Sequence, residues 1–443
     1  MAQAPAKPSP NPIRAWSVVG IMGALYIMSM VDRSVLALVV QPLKAALKLS
    51  DVQIGFLYGS SFAIFFALLG VPMGRLADRA NRRLVIIVGA VIWALCTLGT
   101  GFTASFLMLN LLRVGLATGE AVLVPSAHSM IGDLFPPHRR AFAAGLFTTT
   151  GFLGIGGGTI AVGFLVHALN QAVADHRLES SFAVWQLVFI CVGLPTLILV
   201  GLFALIVREP QRLATAGEPG PTNRELIAYL AKNRRLYLGL FLGASATQSI
   251  VGAFQAWGPE FLRRTYGWDV RTAGSVLGLT SLITMTSSTL IAPWINRTIQ
   301  KQGRRDSVAL VAIGGAGLGG TLAAIGFVQP NPLAFVALYG AGSFLIFGGS
   351  MNVVFQLQEL APARFRGTLV ALLLAGLNLA SLGLGPPLAA VISNQISPSG
   401  DRLSLGLAIE VATTCAVGVA LLVWARKGLR EAMMILDGPK ARD

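Results

Sequence analysis

Four ionisable side chains lie inside long apolar stretches of this sequence. Asp32 and Arg33 lie in the first such stretch, and Arg113 and Glu120 lie in the fourth. A charged side chain at the centre of a membrane costs about 2.5–3.5 kcal/mol even on insertion scales, so four of them indicate a purpose. Two chemistries fit these residue types: a carboxyl group that gains and loses a proton, and a guanidinium that binds an anion.

The spacing of the four residues predicts how they pair. Arg113 and Glu120 are seven residues apart, close to two helical turns, and therefore share a helix face. Asp32 and Arg33 are adjacent, so they point about 100° apart on a helix and cannot pair squarely with each other. We expect cross-pairing between the first and fourth stretches around a wet cavity. Asp32 and Glu120 are the predicted proton-coupling residues, and Arg33 and Arg113 the predicted substrate-binding ones. The alternative is a buried ion network that only holds helices together.

The elements that must position these residues are membrane-spanning helices. Of the 443 residues, 54% are hydrophobic and 12% are charged, against about 25% charged in soluble domains. A span needs about 20 apolar residues. The predicted spans are 16–40, 52–73, 84–104, 106–130, 141–167, 184–207, 236–260, 270–294, 307–328, 333–357, 367–393 and 403–425. The predicted fold is an all-α membrane protein with twelve transmembrane helices in two pseudo-symmetric six-helix bundles.

The distribution of Lys and Arg predicts the orientation of the spans. Of the 34 basic residues, 25 fall in the two chain ends and the even-to-odd loops, and seven fall on the opposite side. By the positive-inside rule, both termini are cytoplasmic. We predict a multi-pass protein of the plasma (cell inner) membrane. Its predicted parts are a disordered cytoplasmic tail at 1–15, a bundle at 16–207, a cytoplasmic linker at 208–235, a second bundle at 236–425 and a cytoplasmic tail at 426–443.

A short internal repeat supports the division into two halves. The segments GDLFPPHRRA at 132–141 and QELAPARFRG at 358–367 share an acid-Leu-x-Pro-x-x-x-Arg-small pattern. Like loops in like places indicate a duplicated transporter. For the second half we expect no ionisable residue near the centre of a span, but amides that bind substrate in a largely apolar pocket: Gln248, Gln255, Asn352 and Asn378. The alternative for each amide is a hydrogen bond between helices.

The loop after the second span carries a family signature. GRLADRANRR at 74–83 resembles the G-x-L-A-D-[RK]-x-G-[RK]-[RK] loop of the major facilitator superfamily. Asn81 stands where Gly is usual, and since Asn also tolerates a left-handed backbone we expect the turn to be kept. The resemblance implies a cytoplasmic gate formed by Gly74, Asp78, Arg79, Arg82, Arg83, Asp133 and Arg140. The alternative for Arg82 and Arg83 is that they only anchor the positive side.

Three segments between about 25 and 160 resemble the Spinster branch of that superfamily. They are MVDRSVLALVVQPLK, LSDVQIGFLYGSSFAIFFALLGVPMGRLADRANRR and LLRVGLATGEAVLVPSAHSMIGDLFPPHRRA. The resemblance implies amphipathic lipid substrates, such as a lysophospholipid or a sphingosine phosphate, and points to a coupling role for Asp32, Arg33 and Glu120.

Enzymatic and cofactor chemistry have no support in the sequence. It contains no catalytic motif, no P-loop and no metal-ligand set, so we predict no enzyme, no catalytic residue, no metal and no cofactor. We predict a monomeric secondary active transporter that moves an amphipathic anionic lipid by alternating access, with proton coupling, and that binds no nucleic acid. The alternatives are a proton-coupled carrier of small organic anions, a multidrug exporter, and a non-transporting membrane receptor or enzyme.

Overall fold

The computed structural model of this chain describes residues 12–212, 222–304, 306–397 and 402–437. In these ranges the regular structure is helical, without a strand, and twelve helical stretches are long and apolar enough to cross a membrane. The predicted all-α fold with twelve spans is confirmed.

The helices of the first half are α1 (Pro12–Leu38), α2 (Val40–Leu47), α3 (Asp51–Gly55), a π-helical turn (Phe56–Ser60), α4 (Ser61–Arg79), α5 (Arg82–Thr100), α6 (Phe106–Glu120), α7 (Leu123–Leu134), α8 (Pro137–Ala174) and α9 (Val184–Ile206). Those of the second half are α10 (Asn223–Lys232), α11 (Arg234–Tyr266), α12 (Val270–Lys301), α13 (Ser307–Phe327), α14 (Pro332–Leu360), α15 (Ala363–Asn378), a π-helical turn (Leu379–Leu384), α16 (Gly385–Ile396) and α17 (Leu403–Asp437).

The chain forms two compact units. The first comprises Met1–Leu47 and Phe65–Thr215, and the second comprises Lys48–Ile64 and Ala216–Asp443. The beginning of the second span is thus part of the second unit, although the sequence assigned it to the bundle at 16–207.

Close backbone contact holds the beginning of the second span in the second unit. The two π-helical turns lie against each other, and a Cβ atom on Gly59 would lie 2.0 Å from the carbonyl oxygen of Leu382. Only glycine permits this approach. One residue further along, the Ser60 hydroxyl donates to the carbonyl oxygen of Gly383 at 2.8 Å. Because π-helical turns leave regular helical hydrogen bonding, they concentrate at sites where helices bend or function.

An ion cluster at the end of α11 fastens the same segment. Arg264 donates to both carboxylate oxygens of Asp51, at 3.0 and 3.2 Å, and also to Glu260. Arg263 adds a second contact to Glu260 at 2.8 Å. Because the Glu260 side chain is only 3% exposed, the two guanidinium groups compensate a carboxylate that has little water around it.

Glycines set the close helix packing of the first unit. The run at 151–158 lies in α8 against α1, and a Cβ atom on Gly154 would lie 2.7 Å from the Cβ atom of Met30. Between α5 and α6, a Cβ atom on Gly119 would lie 2.4 Å from the carbonyl oxygen of Gly89. Small residues let membrane helices approach this closely. The run at 151–158 therefore serves the packing of α8 on α1.

The fourth span is broken next to one of its charged residues. Helix α6 ends at Glu120 and α7 begins at Leu123. Pro125 has no N–H to donate to the carbonyl of Ala121, so the helical hydrogen bonds are interrupted directly after Glu120. The break leaves Glu120 as the last residue of α6.

The connecting segments contain more helix than the sequence indicated. Residues 12–15 and 426–437 were assigned to the tails but extend α1 and α17. Helix α10 lies within the predicted linker, where Thr222 and Glu225 form a reciprocal capping box. The remaining tail and linker residues, 1–11, 213–221 and 438–443, lie outside the described ranges.

Candidate functional site

The charged residues of the first and fourth spans form one ion pair across the two helices. Arg33 of α1 donates to Oε2 of Glu120 from Nη2 at 2.6 Å and from Nε at 3.0 Å. The Glu120 side chain is 1% exposed and that of Arg33 18% exposed. The Arg33 guanidinium also lies 5.3 Å from the centre of the Phe66 ring, a cation–π distance. The predicted cross-pairing of spans one and four is therefore present for this pair.

Asp32 lies beside this pair but is bound differently. Its carboxyl is 1% exposed, and Oδ2 accepts a hydrogen bond of 2.6 Å from the Thr97 hydroxyl of α5. Oδ1 has no hydrogen-bond partner among the described residues. Thr97 was not found from the sequence, because a threonine inside an apolar span carries no distinguishing pattern. The Asp32 carboxyl is thus held by α5, whereas the Glu120 carboxyl is held by α1.

Arg113 is the second arginine within the predicted spans of the first unit. It lies on α6, the helix that ends at Glu120, and is 6% exposed. The carboxyls of Asp32 and Glu120, with the guanidinium groups of Arg33 and Arg113, thus all lie within the membrane spans. Glu120 retains one oxygen, Oε1, without a hydrogen-bond partner among the described residues.

Arg82 is the centre of a second network in the first unit. Its guanidinium binds Asp133 at 2.5 Å, Glu209 at 2.8 Å, the Ser129 hydroxyl at 3.0 Å and the carbonyl oxygen of Pro210 at 3.2 Å. Arg82 is only 1% exposed, so it is not simply a surface charge anchoring the positive side. Glu209 was missed because it follows the sixth span, in a segment that the sequence assigned to the linker.

The neighbouring basic residues of the predicted gate bind backbone groups. Arg83 donates to the carbonyl oxygen of Ala204 at 2.6 Å, and its backbone N–H donates to Glu209 at 2.8 Å. Arg140 donates to the carbonyl oxygen of Phe135 at 2.8 Å. These contacts fix the loops at one end of the first unit. The gating role of these residues stays a prediction.

The turn between α4 and α5 differs from its prediction. Asn81 has an extended backbone, with φ of −66°, and not a left-handed one. Its side chain instead caps α5 by accepting from the backbone N–H of Leu84 at 3.0 Å. Nearby, a Cβ atom on Gly74 would meet nothing within 4 Å, and Arg79 is exposed. The side chain of Asp78 lies outside the described residues.

The second unit contains a polar cavity of about 470 Å³. Its lining residues are Thr289, Pro293, Arg297, Asn352, Phe355, Gln356, Gln358 and Arg366. Asn352, a predicted substrate-binding residue, is 1% exposed, and neither atom of its amide has a hydrogen-bond partner among the described residues. Six of its eight lining residues have polar or charged side chains, and the prediction of a largely apolar pocket for this half stays a prediction.

The other three predicted amides are not among the residues that line this cavity. Gln248 is buried in α11 and its Oε1 has no hydrogen-bond partner among the described residues, while Gln255 is half-buried in the same helix. Asn378 donates to the carbonyl oxygen of Leu374 in its own helix at 2.9 Å. The structure therefore does not bring the four amides together at this cavity.

The second half contains a buried acidic residue within a span, which the expectation of no ionisable residue near a span centre did not take into account. Glu410 lies seven residues after the start of α17 and is fully buried. Neither of its carboxyl oxygens has a hydrogen-bond partner among the described residues. A search of the stretch 403–425 for acidic residues reveals it directly. Among the described residues there is no group of three or more His, Cys, Asp or Glu arranged to hold a metal ion.

Two curated relatives match part of the chain. An MFS-type efflux pump of Mycolicibacterium smegmatis is 28% identical over 270 residues, which are 61% of this chain and 59% of the pump. Protein spinster homolog 3 of Danio rerio is 30% identical over 260 residues, which are 57% of this chain and 49% of that protein. The chain thus spans about half to three fifths of the length of these relatives.

A solved structure and a family model match more of the chain. The crystal structure of a bacterial homolog of the human lysosomal transporter Spinster aligns with a TM-score of 0.78 at 24% identity. The alignment covers 96% of this chain and 98% of that one, which supports a fold of two six-helix bundles. The model of the Major Facilitator Superfamily matches residues 22–359. Because this match covers most of the sequence, the chain belongs to the Major Facilitator Superfamily.

Proposed function

We propose that this protein is a secondary active transporter that moves an amphipathic anion by alternating access, coupled to protons. The observation that carries the proposal is the Arg33–Glu120 ion pair inside the spans, with the Asp32 carboxyl beside it. Buried charges in membrane spans are costly and concentrate on substrate and proton pathways. In this proposal the same three residues bind the anion and the proton.

The ion pair suggests how anion and proton are linked. An incoming anionic group competes with Glu120 for the Arg33 guanidinium. Once displaced, the buried Glu120 carboxylate would lose its compensating charge, at a cost that protonation removes. Binding of the anion therefore favours uptake of a proton by Glu120, with Asp32 as the neighbouring group that accepts or passes it on.

A lysophospholipid or sphingosine phosphate-like molecule is the proposed substrate. Its support is the resemblance of the segments at about 25–160 to the Spinster branch, together with similarity to spinster homolog 3. The amphiphile's head group would bind the arginines, and its acyl chain would occupy apolar surface. In this proposal a monomer lies in the plasma (cell inner) membrane, with both termini and the Arg82 network on the cytoplasmic side, where the network serves as part of a gate.

A carrier of small organic anions is the second candidate. The observation that favours it is the presence of two arginine and three amide side chains among the residues that line the cavity in the second unit, since these groups bind anions directly. A small anion could be bound entirely by such groups. Similarity to an efflux pump leaves drug export as a further variant of the same transport mechanism.

The two candidates are separated by transport from vesicles of the purified protein. Radiolabelled lysophosphatidate is placed in the outer leaflet, and albumin then extracts what has not crossed. Gluconate, a small acid without an acyl chain, is measured in parallel as uptake into the lumen. We expect protein-dependent lysophosphatidate transfer that an Arg33→Gln variant loses by at least tenfold. Transfer of gluconate without transfer of lysophosphatidate would overturn the lipid assignment and establish the second candidate.

A further inference from the structure

The cavity in the second unit is formed by three helices. Thr289, Pro293 and Arg297 are spaced four residues apart on one face of α12. Asn352 and Gln356 share a face of α14. Arg366, near the start of α15, completes the lining from a third direction. Residues from three helices thus converge on one volume of about 470 Å³, within the size range of small-molecule sites.

The charge of the cavity is positive. Arg297 and Arg366 line it, and none of its lining residues is acidic. Arg366 makes long contacts of 3.4 Å to the carbonyl oxygen of Ala361, and no ion pair joins either arginine to a described side chain. Guanidinium groups present planar pairs of N–H donors that match carboxylate and phosphate oxygens.

Asn352 provides independent evidence of a ligand. It is 99% buried, lines the cavity, and has neither its amide oxygen nor its amide nitrogen hydrogen-bonded to a described residue. A buried amide without partners costs about 1–3 kcal/mol, and a ligand bound in the cavity would remove this cost. Its donor and acceptor suit an anion that also carries hydroxyl groups.

We propose that this cavity binds a carboxylate or phosphate group through Arg297, Arg366 and Asn352. The inference rests on the proposed transport of an anion and assigns a second anion subsite to the second unit, separate from Arg33. The bound group belongs either to the head of an amphiphile or to a small free organic anion. Gln356 and Thr289 are the neighbouring groups that would bind hydroxyl groups of the ligand.

The test is anion binding by the full-length protein in detergent, measured by titration calorimetry. The probes are sn-glycerol 3-phosphate, which represents a lipid head group, and gluconate, which represents a free organic acid. We expect at least one probe to bind, and its Kd to rise at least tenfold in Arg297→Gln. Lys301→Gln removes a charge one turn away on the same helix, outside the cavity, and should leave the Kd unchanged.

Asn352→Asp is a second test for the case that Arg297→Gln does not fold. The substitution preserves the size of the side chain and places a negative charge in the cavity. We expect it to weaken anion binding at least tenfold while the protein stays monodisperse. An unchanged Kd in both Arg297→Gln and Asn352→Asp would overturn the subsite, as would the absence of binding by either probe. Preferential binding of glycerol phosphate assigns the site to a head group, and preferential binding of gluconate assigns it to a free acid.

Failure of this subsite is distinguishable from failure of the proposed function. Arg33→Gln should abolish transport but retain probe binding in the cavity, because Arg33 is not among the lining residues. If wild-type vesicles transport lysophosphatidate while cavity variants bind and transport normally, the subsite is wrong and the transport function stands. If no anion is transported but binding depends on Arg297, the subsite stands and the transport proposal is wrong.

Discussion

At the scale of single residues, the Arg33–Glu120 pair is joined by two hydrogen bonds in surroundings that exclude most water. Two buried charges compensate each other, but the pair need not stabilise the fold more than apolar side chains of similar size would. Apolar side chains at these two positions would then stabilise the fold equally well, so the two charges are expected only if they bind a proton or a substrate. Stability and transport should therefore respond differently when the pair is removed.

Removing one or both members of the pair separates these roles. Arg33→Met leaves Glu120 uncompensated and should destabilise the protein by about 3–5 kcal/mol, whereas the Arg33→Met/Glu120→Met double variant should recover most of that loss. The measurement is thermal unfolding of each variant in detergent, followed by lysophosphatidate transfer. We expect the double variant to be folded and inactive. A folded double variant with full transport would mean that the pair only holds the helices together.

Replacing Glu410 should stabilise the protein, whereas replacing Arg33 alone should destabilise it. It is fully buried without a hydrogen-bond partner among the described residues, so its carboxyl stabilises nothing that the structure describes. Replacing an unpartnered buried polar group by an apolar one removes its desolvation cost, and Glu410→Leu should raise stability by about 1–3 kcal/mol. Thermal unfolding measures this, with Glu410→Gln as the polar control of similar size. A large loss of stability in Glu410→Leu would contradict the expectation.

Residue types within apolar stretches identified Asp32, Arg33, Arg113 and Glu120, because an ionisable group there is conspicuous. The partners of these residues could not be predicted from the sequence. Thr97 binds Asp32 through tertiary packing, and no spacing in the sequence links α5 to α1. Glu410 was overlooked although the same rule would have identified it.

At the scale of elements, the approach of α5 and α6 controls the position of Glu120. A Cβ atom on Gly119 would lie 2.4 Å from a backbone oxygen of Gly89, so one of the helices would have to shift. Gly119→Ala should therefore lower stability by about 1–3 kcal/mol and reduce transport, since the next residue is Glu120. Gly132→Ala is the matched control in the same span, because its added Cβ atom meets nothing within 4 Å.

The Gly132→Ala control should leave the unfolding temperature unchanged or raise it, since alanine favours helix by up to about 1 kcal/mol over glycine. Equal unfolding temperatures for Gly119→Ala and Gly132→Ala would show that the helices are less closely packed than described. Thermal unfolding and transport are measured on the same preparations.

The junction of α13 and α17 should make stability depend on pH. Asp306, just before α13, binds Arg426 and, at 2.8 Å, Arg430. Burial alone would raise the pKa of the Asp306 carboxyl, but the hydrogen bonds from the two arginines outweigh it and hold the pKa below its ordinary value of about 3.9. A lowered pKa in the folded state stabilises the protein above the unfolded pKa, and this stability is lost as the pH falls through the folded value.

Asp306→Asn should accordingly be less stable than the wild type at pH 7 by about 1–3 kcal/mol, and should therefore unfold at a lower temperature. The difference between the two should shrink as the pH falls below about 4. Asp175→Asn is the control, because Asp175 forms an exposed ion pair with Arg177 at 3.3 Å and such pairs contribute little. A difference that stays constant down to pH 3 would contradict the assignment.

Element boundaries followed from the sequence only in part. Apolar length predicted the spans, and Pro125 explains the break after Glu120. The π-helical turns Phe56–Ser60 and Leu379–Leu384 had no signal, because they depend on packing against each other. For the same reason, residues 48–64 belong to the second unit although they precede the predicted linker.

At the scale of the whole molecule, hydropathy and length were sufficient to predict the twelve spans, since few structures other than helices can cross a bilayer. The loop signature at 74–83 was sufficient for the superfamily, which the family model confirms. The site was predicted in the first unit, where charge is rare and therefore informative. The polar cavity of the second unit was not predicted, because it depends on how three helices bring ordinary polar residues together.

The central claim is that a proton gradient drives an anion through this molecule. The most direct test is accumulation of lysophosphatidate in the far leaflet of proteoliposomes above its equilibrium level, with and without an imposed pH gradient. We predict accumulation that requires the gradient, collapses on addition of a protonophore, and is lost in Asp32→Asn and Glu120→Gln. Transfer by those two variants with unchanged dependence on the pH gradient would contradict the coupling role of both carboxyls.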